Sequence, residues 1–328
     1  MARAQLDTIR RHRDLKVISA AELLAMDLPP QEDIVGHGLM PKGELSMLAG
    51  LFKSGKTNFA LQMALSITQG AKFLDFNTVK TRTLFLSGEG GPYLLRERLG
   101  KMTANVRKGL DDLRLFWPCD VRIDLAKEES IKLIANYCLG NNIGLIIIDP
   151  LIKFNSLDEN STREMGQLVR RLSALRFETR AAIFLVHHAR KPNRYSGNNG
   201  VEARGSTVLQ GDVDSLMMLK SRRSKGDYIL QFELRHAEEP EPMQLTLDTK
   251  SLCYINGGPA QPNRKMVKER IFEIVGKEAP CSKKQIAQIT NRSERTVQKY
   301  LVELEEQGVV QSMIVKGSKG MKHWRPVK

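Results

Sequence analysis

The stretch Gly50-Leu-Phe-Lys-Ser-Gly-Lys-Thr57 decides the fold, because it has the form G-x-x-x-x-G-K-[S/T]. It follows the predicted strand 45–48 and precedes residues 57–70, in which apolar side chains recur at helical spacing. A glycine loop in this position turns successive N–H groups and the helix N-terminus toward phosphate groups. The octet therefore predicts a nucleotide-phosphate site. The alternative, a glycine turn that only happens to precede a helix, leaves the complete motif unexplained.

The polar residues of the octet have expected roles. The Lys56 ammonium is expected to lie against the β and γ phosphates, and the Thr57 hydroxyl is expected to ligate Mg²⁺. The glycines allow the backbone to curl around the phosphates. The predicted phosphate-binding set is Gly50, Lys53, Ser54, Gly55, Lys56 and Thr57.

A second metal ligand is expected at the end of a neighbouring strand. In Gly144-Leu-Ile-Ile-Ile-Asp149 a buried apolar run delivers one carboxylate, and open α/β sheets bind ligands where their strands end. Asp149 is therefore predicted to hold Mg²⁺ through water. The alternative is that Asp149 only closes an apolar strand.

Hydrolysis also needs a residue that orients the attacking water. Pro150 follows Asp149, so no acidic residue is available there. Glu89 is the candidate, because it stands at the tip of the predicted strand 83–86, which we expect to lie beside the strand of the phosphate loop. The alternative is an ordinary solvated loop glutamate.

Two histidines end the predicted strand 181–186. His187 and His188 follow an apolar run, so we expect them at the same edge of the sheet as the phosphate loop. A polar group there can detect the γ-phosphate, and His187 is predicted to be this sensor. The alternative is a hydrogen-bonded histidine that closes the strand.

Short apolar strands that alternate with amphipathic helices predict an α/β fold. Such strands are typical of a mostly parallel sheet that is covered by helices on both faces. After Gly205 the predicted strands are joined by short polar turns, which indicates antiparallel hairpins at the end of the sheet. These late strands are 215–220, 228–235 and 244–248.

The chain divides into four predicted segments. Residues 1–40 form a basic arm and a short helix that Ser19 caps together with Glu22. Residues 41–258 form the α/β core, the run from Gly257-Gly258-Pro259 to Pro262 marks a break in composition, and residues 259–265 form a linker. Residues 266–328 form a C-terminal module.

The C-terminal module resembles a small α+β winged helix-turn-helix domain. Three helices are predicted, and in the third Val297, Leu301 and Leu304 face inward. Two strands follow around the basic turn 316–320. In such modules the third helix enters the major groove and the wing lies along phosphates. The predicted DNA contacts are Arg295, Thr296, Gln298 and Lys299 on the helix, and Lys316, Lys319 and Lys322 on the wing.

The charge distribution supports a polyanionic partner for this module. The chain carries a net charge of +14, and residues 264–328 supply +8 of it, with 15 Lys and Arg against 7 Asp and Glu. The alternative is a protein-docking surface with a solvated charged face. No apolar run approaches the ~20 residues of a membrane span, so we expect a soluble, cytoplasmic protein with no membrane partner.

These motifs, in this order, resemble RecA-fold ATPases. The octet, Glu89, Asp149-Pro150-Leu151 and the run from Val186 to Lys191 carry the resemblance, which covers residues 17–256. The chain looks like the RepA-type branch of plasmids and phages, relatives of hexameric DnaB-like helicases. This resemblance implies ATP as the nucleotide, Mg²⁺, and a homo-oligomeric, hexameric ring with nucleotide between subunits.

The same resemblance implies an arginine finger and a DNA-binding loop. The finger comes from a late strand, which makes Arg235 the candidate, although Glu233 stands where the family often has Lys or Arg. A plain surface arginine is the alternative. Loops facing the centre of the ring bind single-stranded DNA, and in 191–200 the candidates are Lys191, Arg194 and Tyr195. An ordinary loop is the alternative there.

Three functions remain open from the sequence. The leading one is a DNA-dependent, ring-forming replicative helicase of a mobile element, attached to duplex DNA by the winged helix and working with replication or mobile-element proteins. The second is a DNA-bound ATPase switch that does not unwind DNA, such as a helicase loader or a recombination or transposition regulator. The third is a winged-helix transcription regulator with an ATP-sensing core.

Overall fold

The structure is a computed structural model, and its described part falls into two units, within residues 1–260 and 261–328. The described residues are 17–28, 30–104, 114–118, 122–190, 202–203, 207–222, 226–259, 264–290, 292–314 and 322–327.

The first elements precede the main sheet. Helix α1 (Ala20–Ala25) begins at Ser19, whose side chain accepts a hydrogen bond from the Glu22 N–H while the Glu22 carboxylate accepts one from the Ser19 N–H. The predicted capping box is therefore confirmed. Strands β1 (Asp33–Val35) and β2 (Met40–Pro41) form a small antiparallel pair.

Strands and helices then alternate through the N-terminal unit. Their bounds, in chain order, are β3 (Leu45–Gly50), α2 (Lys56–Gln69), β4 (Arg82–Ser87), α3 (Gly91–Thr103), β5 (Leu115–Phe116), α4 (Glu128–Asn141), β6 (Ile143–Asp149), α5 (Thr162–Thr179), β7 (Ala182–Arg190), β8 (Glu202–Ala203), α6 (Thr207–Asp212), β9 (Ser215–Ser221), β10 (Asp227–Leu234), β11 (Met243–Leu247) and β12 (Tyr254–Pro259). A short 3-10 helix (Leu151–Phe154) follows β6.

These strands form one large sheet with the order β12-β11-β10-β9-β3-β7-β6-β4-β5. The six strands from β9 to β5 are parallel, and β10, β11 and β12 continue the sheet as antiparallel hairpins. The predicted fold class, a mostly parallel sheet with helices and late hairpins, is confirmed. The glycines at 257 and 258, expected to break the chain, lie in β12.

The strand order corrects one expectation. The strand that ends before Glu89 does not lie beside the strand of the phosphate loop, because β7 and β6 stand between β3 and β4. Helix α2 carries the chain across both positions, which are later filled by β6 and β7. Asp149 is likewise one strand away from β3, since β7 separates them.

Two apolar clusters fill the two faces of the sheet. Leu145 and Ile147 of β6 point to the cluster that contains α2, whereas Ile146 and Ile148 point to the cluster that contains α4 and α5. A strand that is buried on both faces needs apolar residues at every position. The continuous apolar run before Asp149 therefore has its physical reason in the position of β6 inside the sheet.

Asp214 ties the amino edge of the sheet, where the parallel strands begin. Its Oδ2 accepts hydrogen bonds from the Leu45 N–H at 3.1 Å and from Arg176 Nη1 at 3.1 Å. Its Oδ1 lies 3.5 Å from Arg235 Nη1 and 3.6 Å from His236 Nε2. Asp214 is only 8% exposed, so these contacts compensate a largely desolvated carboxylate.

The C-terminal unit has its own core. Its elements are α7 (Arg264–Glu278), β13 (Cys281–Ser282), α8 (Lys283–Thr290), α9 (Glu294–Glu306), β14 (Val310–Ile314) and β15 (Lys322–Pro326). The sheet order is β13-β15-β14, and Trp324 is fully buried against the helices. Val297, Leu301 and Leu304 face this core as predicted. Three helices followed by a two-stranded wing confirm the winged helix-turn-helix fold.

No helix in the part of the chain that the structure describes is long and apolar enough to cross a membrane.

We predict that Asp214→Ala destabilises the N-terminal unit by about 2–4 kcal/mol, because it leaves the buried Leu45 N–H without its acceptor and the Arg176 guanidinium with Glu44 as its remaining carboxylate partner. Native-state hydrogen exchange of peptides from β3 and β9 measures this loss. Glu128→Ala is the control, because it breaks the exposed Glu128–Lys132 pair and should leave the same peptides unchanged. Equal protection in both variants would contradict the assigned role of Asp214.

Candidate nucleotide-binding site

The octet forms the predicted loop between β3 and α2. Gly55 has φ +79°, a left-handed conformation that favours glycine, and it is the N-cap of α2. Because Gly55 has no side chain, it caps none of the first N–H groups of α2. The N-terminus of a 14-residue helix therefore offers free donors and a positive dipole end to an anion.

Lys56 is buried at the start of this helix. Its Nζ donates to the carbonyl oxygens of Gly50 at 3.0 Å and Leu51 at 2.8 Å. Burial lowers the pKa of Lys56 to about 8, although the nearby carboxylates of Asp149 and Glu89 act in the opposite direction. Lys56 thus lies within electrostatic reach of both acidic residues that the sequence singles out.

Asp149 ends β6 at the carboxyl edge of the sheet, where the parallel strands end. Burial raises the pKa of Asp149 to about 6, and a hydrogen bond with the Thr57 side chain works against this rise. Its Oδ2 is buried and has no hydrogen-bond partner among the described residues. A hydroxyl and an unsatisfied carboxylate oxygen are hard oxygen donors of the kind that Mg²⁺ prefers. Thr57 and Asp149 therefore fit a magnesium site.

Glu89 lies near Asp149, although its strand is not beside the strand of the phosphate loop as expected. Ser87 of β4 is in register with Asp149 of β6, and the Gly88 N–H donates to the Asp149 carbonyl at 2.8 Å. The Glu89 charge contributes to the raised pKa of Asp149. Glu89 is exposed, so its carboxylate is open to water. Glu89 thus follows a strand that pairs with β6, the strand of Asp149, and not with β3, the strand of the phosphate loop.

The two histidines lie next to the phosphate loop. His187 and His188 of β7 are in register with Ala49 and Gly50 of β3, and both are buried. His187 Nδ1 lies 3.8 Å from Glu159 Oε1. The His188 ring stacks on Phe52 of the loop, with ring centroids 3.9 Å apart and an angle of 12° between the planes. The loop therefore contacts the end of β7 directly.

Arg235 lies at the opposite edge of the sheet. It follows β10, and its N–H donates to the Asp214 carbonyl beside the start of β3. The phosphate loop follows the other end of β3. Arg235 therefore does not reach the phosphate loop of its own chain, and a catalytic role requires a second copy.

Three residues near the loop lack an assigned role in the sequence. Glu159 Oε1 lies 3.8 Å from His187 Nδ1. Arg98 is spaced three and four residues from the buried Leu95 and Met102, and its Nη1 is buried without a hydrogen-bond partner in the described ranges. Its charge acts on Asp149. An arginine within the apolar face of α3 was the available signal. No motif marks the third residue, Tyr254, which contacts the loop from β12.

The predicted DNA contacts are described only in part. Lys191, Arg194 and Tyr195 of the core, and Lys316 and Lys319 of the wing, lie outside the described residues. On α9, Arg295 and Lys299 are exposed, whereas Thr296 and Gln298 are half-buried. Lys322 at the start of β15 is exposed. The described cations therefore face solvent, as a duplex contact requires.

A mostly parallel sheet that brings a phosphate loop and two carboxylates to one edge is typical of P-loop ATPases, and the chain is a P-loop ATPase. The comparison with protein families makes this assignment specific. Residues 9–194, more than half of the chain, match the AAA domain family, and the chain belongs to this family. Residues 267–311 match the model described as winged helix-turn-helix DNA-binding.

Individual relatives are distant. The chain is 24% identical over 185 residues to the DNA repair and recombination protein RadB of Pyrococcus furiosus. The aligned region covers 55% of this chain and 72% of that protein. A crystal structure of the RadB recombinase aligns with 14% identity and a TM-score of 0.48, covering 67% of this chain and 92% of that one. A KaiC-like protein from Pyrococcus horikoshii aligns with 13% identity and a TM-score of 0.48, covering 68% and 93%.

The shifted pKa values predict opposite pH limits for ligand binding. As the pH rises through about 8, Lys56 loses its proton and the affinity for nucleotide falls. As the pH falls through about 6, Asp149 gains a proton and the contribution of Mg²⁺ to the affinity disappears. Titration of a fluorescent nucleotide with and without Mg²⁺ across this range tests both limits. An alkaline limit that depended on Mg²⁺ would contradict its assignment to Lys56.

Proposed function

We propose that the chain is a DNA-dependent ATPase that assembles head to tail into a ring and unwinds DNA as a RepA-type replicative helicase of a mobile element. The observation that carries the proposal is that Lys56 of the phosphate loop, the buried Asp149 and the strand-end residue Glu89 lie at one edge of the sheet. The winged helix-turn-helix on the same chain supplies the link to DNA.

The residues at this edge divide the chemistry of ATP hydrolysis. Lys56 and the N–H groups of the loop neutralise phosphate charge, and this neutralisation grows in value as charge develops during transfer. Glu89 is open to water and orients the attacking molecule by accepting a hydrogen bond from it. Thr57 and Asp149 would hold Mg²⁺, which would supply positive charge to the phosphate oxygens.

His187 is proposed as the sensor of the γ-phosphate. It is buried on β7, the strand next to the strand of Asp149, and its Nδ1 lies 3.8 Å from Glu159 Oε1, so a change at the phosphate would be passed on through this contact. Its strand continues toward residues 191–200, the proposed single-strand loop. The stacking of Phe52 on His188 supports a second connection between the phosphate loop and this strand.

The separation of Arg235 and the phosphate loop supports the proposed ring. A surface that carries the nucleotide and an opposite surface that carries the arginine fit a heterologous contact, and repeated heterologous contacts form a ring when their rotation closes. Arg235 of one copy would then neutralise charge on the phosphate that is bound by the next copy. A hexamer is the proposed ring size, by resemblance to the RepA-type branch.

A second candidate is an ATPase switch that binds DNA without unwinding it. The name of the Pyrococcus furiosus relative, a DNA repair and recombination protein, favours this alternative. A strand-displacement assay on forked DNA with ATP separates the two candidates. Unwinding supports the helicase proposal, whereas DNA-stimulated hydrolysis without unwinding supports the switch.

We predict that Glu89→Gln keeps the nucleotide affinity within about threefold and lowers the turnover number by about 10²-fold or more, because a neutral amide lacks the negative charge and the basicity with which the carboxylate activates the attacking water. Equilibrium binding and steady-state phosphate release measure the two quantities separately. Glu129→Gln, an exposed glutamate on α4, is the matched control and should retain normal turnover. Unchanged turnover in Glu89→Gln would remove this residue from the mechanism.

Arg235→Ala is predicted to lose most ATP hydrolysis alone and to regain part of it when mixed with Glu89→Gln. Mixed rings contain interfaces at which an intact Arg235 faces an intact Glu89, so turnover returns at those interfaces. Phosphate release as a function of the mixing ratio measures the effect. Arg163→Ala changes an exposed arginine on α5 and is the control. This variant should hydrolyse ATP at the wild-type rate without being mixed with Glu89→Gln. Absence of recovery in the mixture would argue against a finger between copies.

Duplex binding is predicted to depend on α9. Lys299→Ala should weaken the affinity for duplex DNA and reduce the slope of its salt dependence by about one, because one phosphate contact is lost. Fluorescence anisotropy at several salt concentrations measures both. Lys277→Ala removes the same charge from an exposed site on α7 and should retain the original slope. Equal slopes in the two variants would favour a protein-docking role for the module.

A further inference from the structure

We propose that Tyr254 is a positioning residue for the phosphate loop, because its hydroxyl holds the Ser54–Gly55 peptide in the orientation that binds a phosphate oxygen. This inference rests on the proposed nucleotide binding. It goes beyond it by assigning part of the site to β12, a strand that lies about 200 residues further along the chain.

The contact is direct. Tyr254 Oη donates to the Ser54 carbonyl oxygen at 3.1 Å, and the Tyr254 side chain is only 2% exposed. In a trans peptide the carbonyl and the following N–H point in opposite directions. A carbonyl that is held toward Tyr254 therefore turns the Gly55 N–H away from it and toward the mouth of the loop. The hydrogen bond thus fixes a donor that the anion uses.

The backbone of β12 is held equally firmly. Gln62 of α2 brackets the Tyr254 peptide: its Nε2 donates to the Tyr254 carbonyl at 3.0 Å, and its Oε1 accepts from the Tyr254 N–H at 2.6 Å. The rings of Phe59 and Tyr228 pack edge-on against the tyrosine ring, at centroid distances of 5.7 and 5.3 Å. The hydroxyl is consequently placed by both polar and apolar contacts.

Strand order alone would put Tyr254 far from the loop, since β9, β10 and β11 stand between β12 and β3. The hairpin strands instead curl over α2, so that Tyr228, Leu245 and Tyr254 join the apolar cluster of that helix. The curl is what brings β12 to the octet. It also leaves no space for a side chain at Gly55, since a Cβ there would collide with the Tyr254 hydroxyl.

The hydroxyl remains a donor under all ordinary conditions. Burial raises the pKa of Tyr254 well above its usual value, and the neighbouring Tyr228 hydroxyl acts in the same direction. A protonated phenol keeps the hydrogen that it donates to the Ser54 carbonyl.

Tyr254→Phe tests the proposal, because it removes one oxygen and keeps the packed ring. We expect the dissociation constant for ADP or ATP to rise about three- to tenfold, the change that corresponds to one neutral hydrogen bond. The turnover number at saturating ATP should stay within about twofold, so the effect appears in KM and not in kcat. Hydrogen exchange of the Gly55 amide in the ADP complex should also become faster.

Tyr137→Phe is the matched control, since it removes a hydroxyl from the partly exposed face of α4 and should leave nucleotide affinity unchanged. An unchanged dissociation constant in Tyr254→Phe, with the wild-type chain binding nucleotide, would overturn the positioning role. A fall in kcat at unchanged KM would overturn it as well. Failure of the wild-type chain to bind nucleotide would instead contradict the proposed function, so the two failures are distinct.

Gln62→Leu gives an independent test if Tyr254→Phe folds poorly. This substitution removes the bracket on the β12 backbone while the tyrosine hydroxyl is retained. The expected result is a rise in the nucleotide dissociation constant of the same order, because the hydroxyl loses its fixed position. Unchanged affinity would show that the loop keeps its orientation without β12 and would overturn the proposal.

Discussion

The burial of an ammonium and a carboxylate at one end of the sheet is the constraint on which the nucleotide site depends. Lys56 and Asp149 are both buried, and burial shifts the pKa of each toward its neutral form. Charged groups in such surroundings need hydrogen bonds. Lys56 finds them in the carbonyls of its own loop, and Asp149 finds one in Thr57. A ligand that brings negative charge to Lys56 and a cation to Asp149 would stabilise the folded chain by the same contacts that bind it.

The two edges of the sheet carry two separate groups of charged and polar residues. At the carboxyl edge, strand ends and the α2 N-terminus gather groups that suit a phosphate. At the amino edge, Asp214 gathers Arg176 and Arg235 into an ion-paired cluster. The two ends of strand β3 contact these two groups of residues. The Leu45 N–H donates to Asp214 at the amino edge, and Gly50 begins the phosphate loop at the carboxyl edge. A change in the register of β3 would therefore disturb both edges together.

The sequence predicted those features that depend on neighbouring residues. The octet encodes its own backbone curl, and four apolar residues before Asp149 fix a strand that is buried on both faces. The prediction that the strand before Glu89 lies beside the strand of the phosphate loop was wrong. The order of strands in a sheet depends on where the crossover helices place the chain and not on the order of strands in the sequence. Tyr254 left no signal, since a contact across a curled hairpin depends on the curvature of strands that are distant in sequence. Arg98 left a weak signal, a cation among apolar positions of a helix.

The hydrogen bond between Tyr254 and Ser54 can form only late in the synthesis of the chain. The two residues are 200 positions apart, and a ribosome that adds about 5 to 20 residues per second needs about 10 to 40 s to make the intervening chain. During that interval the octet is present without the strand that braces it. Until the last strand of the sheet has emerged, the phosphate loop lacks this hydrogen bond, so we expect nucleotide to stabilise the earlier strands less than it stabilises the finished sheet.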